Sequence, residues 1–457
     1  MATLERTQTG SELPPPETRM PPGPNLPRVV QTVGFLMAAP WFIDACRRRY
    51  GDAVTFRTLF DERFVMVFHP TLVKELFQGP GEQLRAGEAN VMLGPLVGER
   101  SVLLLDGAEH LRHRRLLLGP FHGRRMQAFA DAMVRATDRE IDGWPLGEPF
   151  PLLPSMQSLT LRVIMEAVFG YEPGPAEEEL RRRLRAMIEP LARPRGMMLL
   201  SALPLIARRG SPMNDRFAGA RKAVDELLYA EIARRRALGE EALAANDDVF
   251  SGLLLARDEE GERLSDREVR DELMTLLLAG HETTATGLAW CFDLLLHAPA
   301  VHARALARDE QYLDAVVKES LRIRPVIPGV GRVVRGEPFH LGEYVIPTGI
   351  EINPSIRLIH RREDIYPDAG AFRPERFLVD EPPDTYSWIP FGGGTRRCLG
   401  ASFALMEMRI VLGRVLERAA LRAADPGLAK VQLRAITLAP RSGVRVLQDR
   451  PPAPARA

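Results

Sequence analysis

The chain has 457 residues, with 61 lysines and arginines against 60 aspartates and glutamates, so its formal net charge is +1. A balance this even provides no overall attraction to nucleic acid or to an anionic membrane, and we expect no nucleic-acid partner. The three cysteines, Cys46, Cys291 and Cys398, lie far apart, which argues against a disulfide framework and against a zinc site built from paired cysteines.

The N-terminal segment 1–27 is polar and dense in proline, a residue that continues neither helix nor sheet. We therefore predict a flexible lead-in there. The segment contains no apolar run of signal-peptide length, and the apolar stretch 29–40 is too short to cross a bilayer. These features predict a cytoplasmic protein without a transmembrane anchor.

The hydrophobic pattern after the lead-in changes from strands to helices and back. Residues 53–60 and 64–70 flank a polar turn and predict a β-hairpin. Residues 106–335 have a mostly helical pattern, residues 339–354 predict a second β-rich patch, and a last helix is expected over 399–418.

The longest predicted helix begins with a capping box, in which Ser265 is followed three residues later by Glu268. Apolar residues then continue to Leu296, which predicts a helix of about 30 residues and about 45 Å. No repeat or change of composition marks a second domain. We therefore predict one domain over 28–449, mainly α with small β-sheets, followed by a tail at 450–457.

The segment 391–400, Phe-Gly-Gly-Gly-Thr-Arg-Arg-Cys-Leu-Gly, combines a glycine-rich turn with a cysteine. Glycines allow the backbone to turn tightly and to approach a ligand closely. Cys398 would lie where this loop enters the last helix, and free amides there can donate to a thiolate. The adjacent Arg396 and Arg397 favour the charged sulfur. A buried, inert cysteine is an equally good interpretation of these residues alone.

A pair of opposite charges, Glu319 and Arg322, lies three residues apart on one helical face. Arg376 follows in the segment Phe-Arg-Pro-Glu-Arg-Phe over 372–377. Most such pairs are solvated surface charges, so the spacing alone does not assign them a role.

Two further segments have both a functional and an ordinary interpretation. Residues 279–284, Ala-Gly-His-Glu-Thr-Thr, weaken the long helix, either to make room for a ligand or as a simple kink. Residues 106–115 are dense in basic side chains, which is also typical of a solvated helix end.

Together these segments resemble the cytochrome P-450 superfamily. The cysteine loop matches F-x-x-G-x-R-x-C-x-G at every fixed position, namely Phe391, Gly394, Arg396, Cys398 and Gly400. The other segments resemble the family's ExxR and PERF elements, its oxygen-activation motif and its early propionate-binding helix. In family order they run from residue 106 to residue 400.

The resemblance implies a P-450 fold, with a large helical part and a smaller β-rich region. It also implies a haem b whose axial ligand is Cys398, with O2 as co-substrate. Four basic residues, His110, Arg114, Arg332 and Arg396, would face the haem propionates. Glu319, Arg322 and Arg376 would form a structural ionic network behind the haem. Glu282 and Thr283 would deliver protons at the dioxygen site, with His281 a bystander.

The implied activity is monooxygenation of a hydrophobic small molecule such as a fatty acid, terpenoid or steroid. By family position, seven residues are expected to face it: Met92, Leu93, Ala279, Val326, Ile327, Val330 and Ile436. The apolar run 197–206, Met-Met-Leu-Leu-Ser-Ala-Leu-Pro-Leu-Ile, is interpreted as an entrance lid, with a buried helix connection as the alternative. The alternatives are another haem-thiolate enzyme, namely a peroxygenase, an isomerase or a dehydratase, and a non-catalytic haem-based sensor.

About 59 residues follow Cys398, too few for a flavin reductase domain, so a separate ferredoxin or flavodoxin with its reductase is expected. Arg112, Arg115 and Arg397 are candidates for docking that acidic partner. We expect the protein to be a monomer.

Overall fold

Apolar periodicity near 3.6 residues dominates the chain, and the computed structural model accordingly is mostly helical. It describes residues 19–119, 125–170, 174–188 and 212–451. The helices are α1 (Arg28–Tyr50), α2 (Pro70–Gln78), α3 (Ala86–Ala89), α4 (Gly94–Val97), α5 (Gly107–Leu118), α6 (Arg125–Asp142), α7 (Leu152–Phe169), α8 (Pro175–Ile188), α9 (Pro212–Ala237), α10 (Glu240–Ala244), α11 (Val249–Leu255), α12 (Asp266–Leu296), α13 (Pro299–Ala305), α14 (Glu310–Ile323), α15 (Ile356–Ile359) and α16 (Ala401–Arg418).

The strands are short and gather into small sheets. They are β1 (Ala53–Phe56), β2 (Phe64–Val67), β3 (Leu84–Arg85), β4 (Phe150–Pro151), β5 (Arg332–Val334), β6 (Phe339–Leu341), β7 (Tyr344–Ile346), β8 (Glu351–Pro354), β9 (Leu421–Ala423), β10 (Val431–Arg434), β11 (Thr437–Pro440) and β12 (Arg445–Gln448). Single 3₁₀ turns occur at Val91–Leu93, Pro374–Phe377 and Gly394–Arg396.

The largest sheet has the strand order β1-β2-β8-β5-β3, with β2 and β8 parallel and the other pairs antiparallel. The predicted hairpin is present as β1 and β2, each four residues long. One apolar face of this sheet packs with α2, and the other packs with α1. The sheet thereby supports α2, against which the cysteine loop lies.

The long helix α12 lies in the largest hydrophobic cluster, where it packs along α7. The capping box predicted at its start is confirmed, because the Ser265 side chain accepts from the Glu268 N–H and the Glu268 carboxylate accepts from the Ser265 N–H. Its end at Leu296 is also as predicted. Nearly all residues of its second half are buried, so α12 is the central support of the helical part.

The prediction of a flexible lead-in is wrong for residues 19–27. The Arg19 carbonyl accepts a hydrogen bond from the Val345 N–H at 3.0 Å, and the Pro22 carbonyl accepts from the Thr55 N–H at 2.9 Å. Proline lacks an N–H but keeps its carbonyl, so a proline-rich segment can still line the edge of a sheet. Residues 1–18 and the apolar run 197–206 lie outside the described residues.

None of the described helices is both long enough and apolar enough to cross a membrane.

Candidate functional site

Two glycines allow the cysteine loop to lie directly against α2. At Gly394, φ is +63° and a Cβ atom would lie 2.0 Å from the carbonyl oxygen of Phe77. At Gly393, a Cβ atom would lie 2.3 Å from the Phe77 ring. The loop is closed by the Cys398 N–H, which donates to the Phe391 carbonyl at 3.0 Å. These contacts place Cys398 just before α16.

Opposing influences act on the Cys398 thiol. The residue is exposed to solvent, yet protein surrounds it closely enough that burial raises the pKa of its thiol. The Gly400 amide and the charges of Arg114 and Arg397 act in the opposite direction and favour the thiolate. A Cβ atom at Gly400 would meet nothing within 4 Å, so the backbone two residues after Cys398 has open space beside it.

Basic side chains from three elements converge beside Cys398. His110 and Arg114 lie one turn apart on α5, Arg332 begins β5, and Arg396 belongs to the cysteine loop. Burial lowers the pKa of Arg332 and of Arg396 to about 10. Burial and the charges of the three arginines lower the pKa of His110 to about 3, so its imidazole is neutral at pH 7.

The Asp106 carboxylate opposes this positive charge. Asp106 Oδ1 lies 2.5 Å from the Arg396 guanidinium, and both Asp106 oxygens also accept backbone N–H groups of α3. Burial lowers the pKa of Arg114, whereas a thiolate at Cys398 would raise it. A partly buried excess of positive charge next to a thiol suits a ligand with anionic groups and a metal that binds sulfur. Among the described residues, no cluster of three or more His, Cys, Asp or Glu side chains could hold a metal ion.

The structure brings Glu319, Arg322 and Arg376 together. The Glu319 and Arg322 side chains are fully buried, and Arg322 donates two hydrogen bonds to the Glu319 carboxylate at 2.7 and 2.8 Å. Arg376 Nε donates to Glu319 at 3.3 Å, and the Arg373 N–H donates at 3.0 Å. Arg322 also donates to the His360 carbonyl at 2.7 Å. The group therefore ties α14 to the segment 360–376 behind the cysteine loop.

The middle of α12 approaches α7 closely, because Gly280 lacks a side chain where a Cβ atom would lie 2.8 Å from Ile164. Thr283 Oγ1 donates to the carbonyl of Ala279, one turn earlier, at 2.6 Å. His281 is buried, and its Nδ1 atom donates to a main-chain carbonyl of α12 at 2.7 Å. That geometry fits a packing role for His281.

Two residues that the sequence did not indicate hold the Glu282 carboxylate. Gln157 on α7 donates to Glu282 Oε2 at 2.7 Å, and Arg434 on β10 lies 3.6 Å from Oε1. Within the described part of the chain, Oε1 has no hydrogen-bond partner. Gln157 and Arg434 lie more than 100 positions from Glu282, so no local pattern could have found them. Asp106 had a weak signal, since it directly precedes the basic helix α5.

The seven residues expected to face a substrate differ in exposure. Val326 is 7% exposed and packs in the main hydrophobic cluster. Met92 and Ile436 are 41% and 40% exposed. Ala279 is exposed, and Leu93, Ile327 and Val330 are partly buried. Val326 is therefore a core residue, whereas the other six have side chains that are partly or largely accessible to solvent.

The proposed docking arginines are mostly engaged within the chain. Arg112 pairs with Asp258 at 2.6 Å, and Arg115 is in contact with Glu259. The two ion pairs neutralise the charges that we expected to attract an acidic partner. Arg397 is exposed, and it lies next to Cys398 in the chain.

Residues 20–431 match the family described as cytochrome P450. The chain is 38% identical over 437 residues to the Mycobacterium bovis protein named cytochrome P450 135B1, covering 93% of this chain and 91% of that protein. It is 36% identical over 443 residues to cytochrome P450 138 of the same organism, covering 95% and 98%.

A solved structure of a retinoic-acid-bound cyanobacterial CYP120A1 superposes with a TM-score of 0.77, at 23% identity, over 94% of this chain and 99% of that one. The mainly helical architecture with small sheets is thus the P450 fold. The chain belongs to the cytochrome P450 family.

Proposed function

We propose that the protein is a haem-thiolate monooxygenase that uses O2 to oxygenate a hydrophobic small molecule, with electrons from a separate ferredoxin or flavodoxin and its reductase. The observation that carries this proposal is the exposed Cys398 residue beside a group of three arginines and a neutral histidine. Membership in the family supports haem-thiolate chemistry.

The residues present fit haem b. Cys398 would supply the sulfur that binds the iron, and metal coordination would replace the thiol proton despite the raised pKa. Arg114, Arg332 and Arg396 would hold the two haem carboxylates, whose charge would offset the excess positive charge of this cluster.

Bound haem supplies the iron that activates dioxygen, and thiolate ligation promotes cleavage of its O–O bond. The chain's own part is to hold protons and to position groups. Gln157 orients the Glu282 carboxylate, and the second carboxylate oxygen is buried and without a hydrogen-bond partner among the described residues, so it can take up a proton. Thr283, the next residue on α12, can turn its hydroxyl away from the Ala279 carbonyl to pass that proton onward.

A hydrophobic substrate is favoured by the partly exposed apolar side chains expected around the site, among them Met92, Leu93, Ile327 and Ile436. The ligand of the cyanobacterial fold neighbour, retinoic acid, belongs to the same broad chemical class. Exposed Arg397 is a contact point for an acidic electron donor.

Substitution of Cys398 tests the proposal directly. The purified wild-type protein, reduced and exposed to carbon monoxide, should show the Soret shift of thiolate-ligated haem, and Cys398→Ser should lose it. Cys46→Ser, which changes a buried cysteine in the α1 cluster, is the matched control and should keep it. An imidazole-type spectrum in the wild-type protein would contradict the proposal.

Turnover separates the proposed activity from the alternatives. A monooxygenase requires both O2 and reducing equivalents, whereas a peroxygenase works with peroxide alone and a sensor turns over nothing. Product formation from a panel of fatty acids, terpenoids and steroids, supplied with a ferredoxin system or with peroxide, distinguishes the three.

A further inference from the structure

The first half of α12 buries polar side chains where a helix of this kind is normally apolar. Asp271, Glu272 and Thr275 are 3%, 0% and 4% exposed. Burying carboxylates is unfavourable unless they receive hydrogen bonds, so their partners indicate what the arrangement is for. The partners lie in the loop formed by residues 98–102.

The two carboxylates bind the backbone of loop 98–102. Asp271 Oδ2 accepts the Arg100 N–H, and Glu272 Oε1 accepts the Val102 N–H, both at 2.9 Å. Hydrogen bonds from an amide to an ionised group are about twice as strong as those between neutral groups. Two neighbouring carboxylates of α12 therefore bind the backbone N–H groups of Arg100 and Val102.

A hydroxyl pair binds the residue between them. Thr275 Oγ1 donates to the Asp271 carbonyl at 2.7 Å, so its oxygen must accept from Ser101 Oγ, which lies 2.6 Å away. Gly98 completes the fit: its φ is +96°, and a Cβ atom there would lie 2.1 Å from the Asp271 carboxylate. Loop 98–102 is thus shaped to α12 at every residue from 100 to 102.

His113 on α5 supports the Glu272 carboxylate. Its Nδ1 atom lies 2.7 Å from Glu272 Oε1, and its Nε2 atom lies 3.2 Å from Glu268 Oε1. Among the described residues Glu272 Oε2 has no hydrogen-bond partner, and burial raises the pKa of this carboxyl. Glu272 therefore depends on His113 and Val102 to remain a good acceptor.

The same loop reaches the cysteine side of the site. Arg396 donates to the Val102 carbonyl at 3.2 Å and to the Leu105 carbonyl at 2.5 Å. Val102 is bound through its N–H by Glu272 and through its carbonyl by Arg396. A displacement of Val102 would alter both contacts at once.

We propose that Glu272 is a positioning residue: by binding loop 98–102 to α12 it fixes Val102 against Arg396, and the fixed loop limits the entry of small molecules to the space beside Cys398. The inference rests on the proposed function, because it takes the space beside Cys398 as the place that ligands enter. Glu272 acts only through Val102 and touches no reacting group.

Amide hydrogen exchange in the purified holoprotein tests whether Glu272 binds loop 98–102 to α12. In Glu272→Gln, the amides of residues 100–102 should exchange about tenfold faster, because the neutral amide oxygen is the weaker acceptor. Thr275→Val should produce a similar local effect, and Thr275→Ser, which keeps the hydroxyl, should restore slow exchange. Glu259→Gln, which removes an exposed ion pair to α5, is the matched control and should change nothing there. Unchanged exchange in Glu272→Gln, or an equal increase in all peptides, would overturn the proposal.

Carbon monoxide is the probe for entry. After flash photolysis of the reduced carbon-monoxide complex, rebinding from solvent should be several-fold faster in Glu272→Gln than in the wild type and in Glu259→Gln. Equal rebinding rates in all three proteins would contradict the proposal that Glu272 limits the entry of small molecules. A wild-type protein that forms no such complex would instead contradict the proposed function, and amide hydrogen exchange would still report on whether Glu272 binds loop 98–102.

Discussion

At the scale of single residues, the Glu319 carboxylate is the counter-ion of two arginines in the interior, Arg322 and Arg376. In Glu319→Gln the buried Arg322 guanidinium would lose its opposite charge while remaining away from water. Breaking one side of a buried pair typically costs about 3–5 kcal/mol, and we expect a loss near the lower end because Arg322 keeps its carbonyl partners. The free energy of unfolding in urea measures it.

The same helix, α14, provides the control. Glu310 pairs with Arg409 at 2.6 Å, but its side chain is 81% exposed. Glu310→Gln should therefore cost less than about 0.5 kcal/mol, as exposed ion pairs generally do. If the two variants lost the same stability, the buried network would not be the support that its geometry indicates.

At the scale of elements, the cysteine motif contains two glycines, Gly394 and Gly400, that differ in backbone conformation and in how closely other atoms approach them. Gly394→Ala would place a methyl group 2.0 Å from the Phe77 carbonyl at a φ of +63°, so we expect a loss of about 2 kcal/mol or more. Gly400→Ala meets nothing within 4 Å, and its φ of −88° suits alanine. Its unfolding free energy should change by less than about 0.5 kcal/mol. Equal losses in urea titrations would show that the contact with α2 does not hold the loop.

At the scale of the whole molecule, His360 contributes to the dependence of stability on pH. It is fully buried; the Ile389 N–H donates to its Nε2 atom at 2.9 Å, and its Nδ1 atom donates to the Arg322 carbonyl at 3.2 Å. Burial, reinforced by the Arg322 charge, lowers its pKa to about 3. The folded protein thus keeps His360 neutral, while the unfolded chain protonates it below about pH 6.5.

Stability from His360 is therefore complete above about pH 6.5 and decreases by up to about 1.4 kcal/mol per pH unit as the pH falls toward 3. Between pH 7 and pH 5, the wild type should lose about 2 kcal/mol more unfolding free energy than His360→Gln. His340→Gln removes an exposed imidazole on β6 and should lose as much as the wild type. A His360→Gln variant with the wild-type pH dependence would contradict the assignment.

The helical fold and much of the candidate site could be predicted from the sequence because their signals are local. The capping box of α12 requires only Ser265 and Glu268 three residues apart, and the structure contains it. The motif around Cys398 and the spacing of Glu319 and Arg322 are likewise readable in short segments. Side chains three or four positions apart on a helix are neighbours whatever the rest of the chain does.

Only the tertiary structure decided which distant groups meet. Gln157 holds Glu282, Glu272 holds Val102, and Asp258 pairs with Arg112. These partners come from separate elements, and their distances depend on how the whole core packs rather than on spacing in the chain. The sequence by itself thus determined the fold and the motif of the cysteine loop. Packing determined which arginines remain available, which carboxylates are held, and how loop 98–102 is bound to α12.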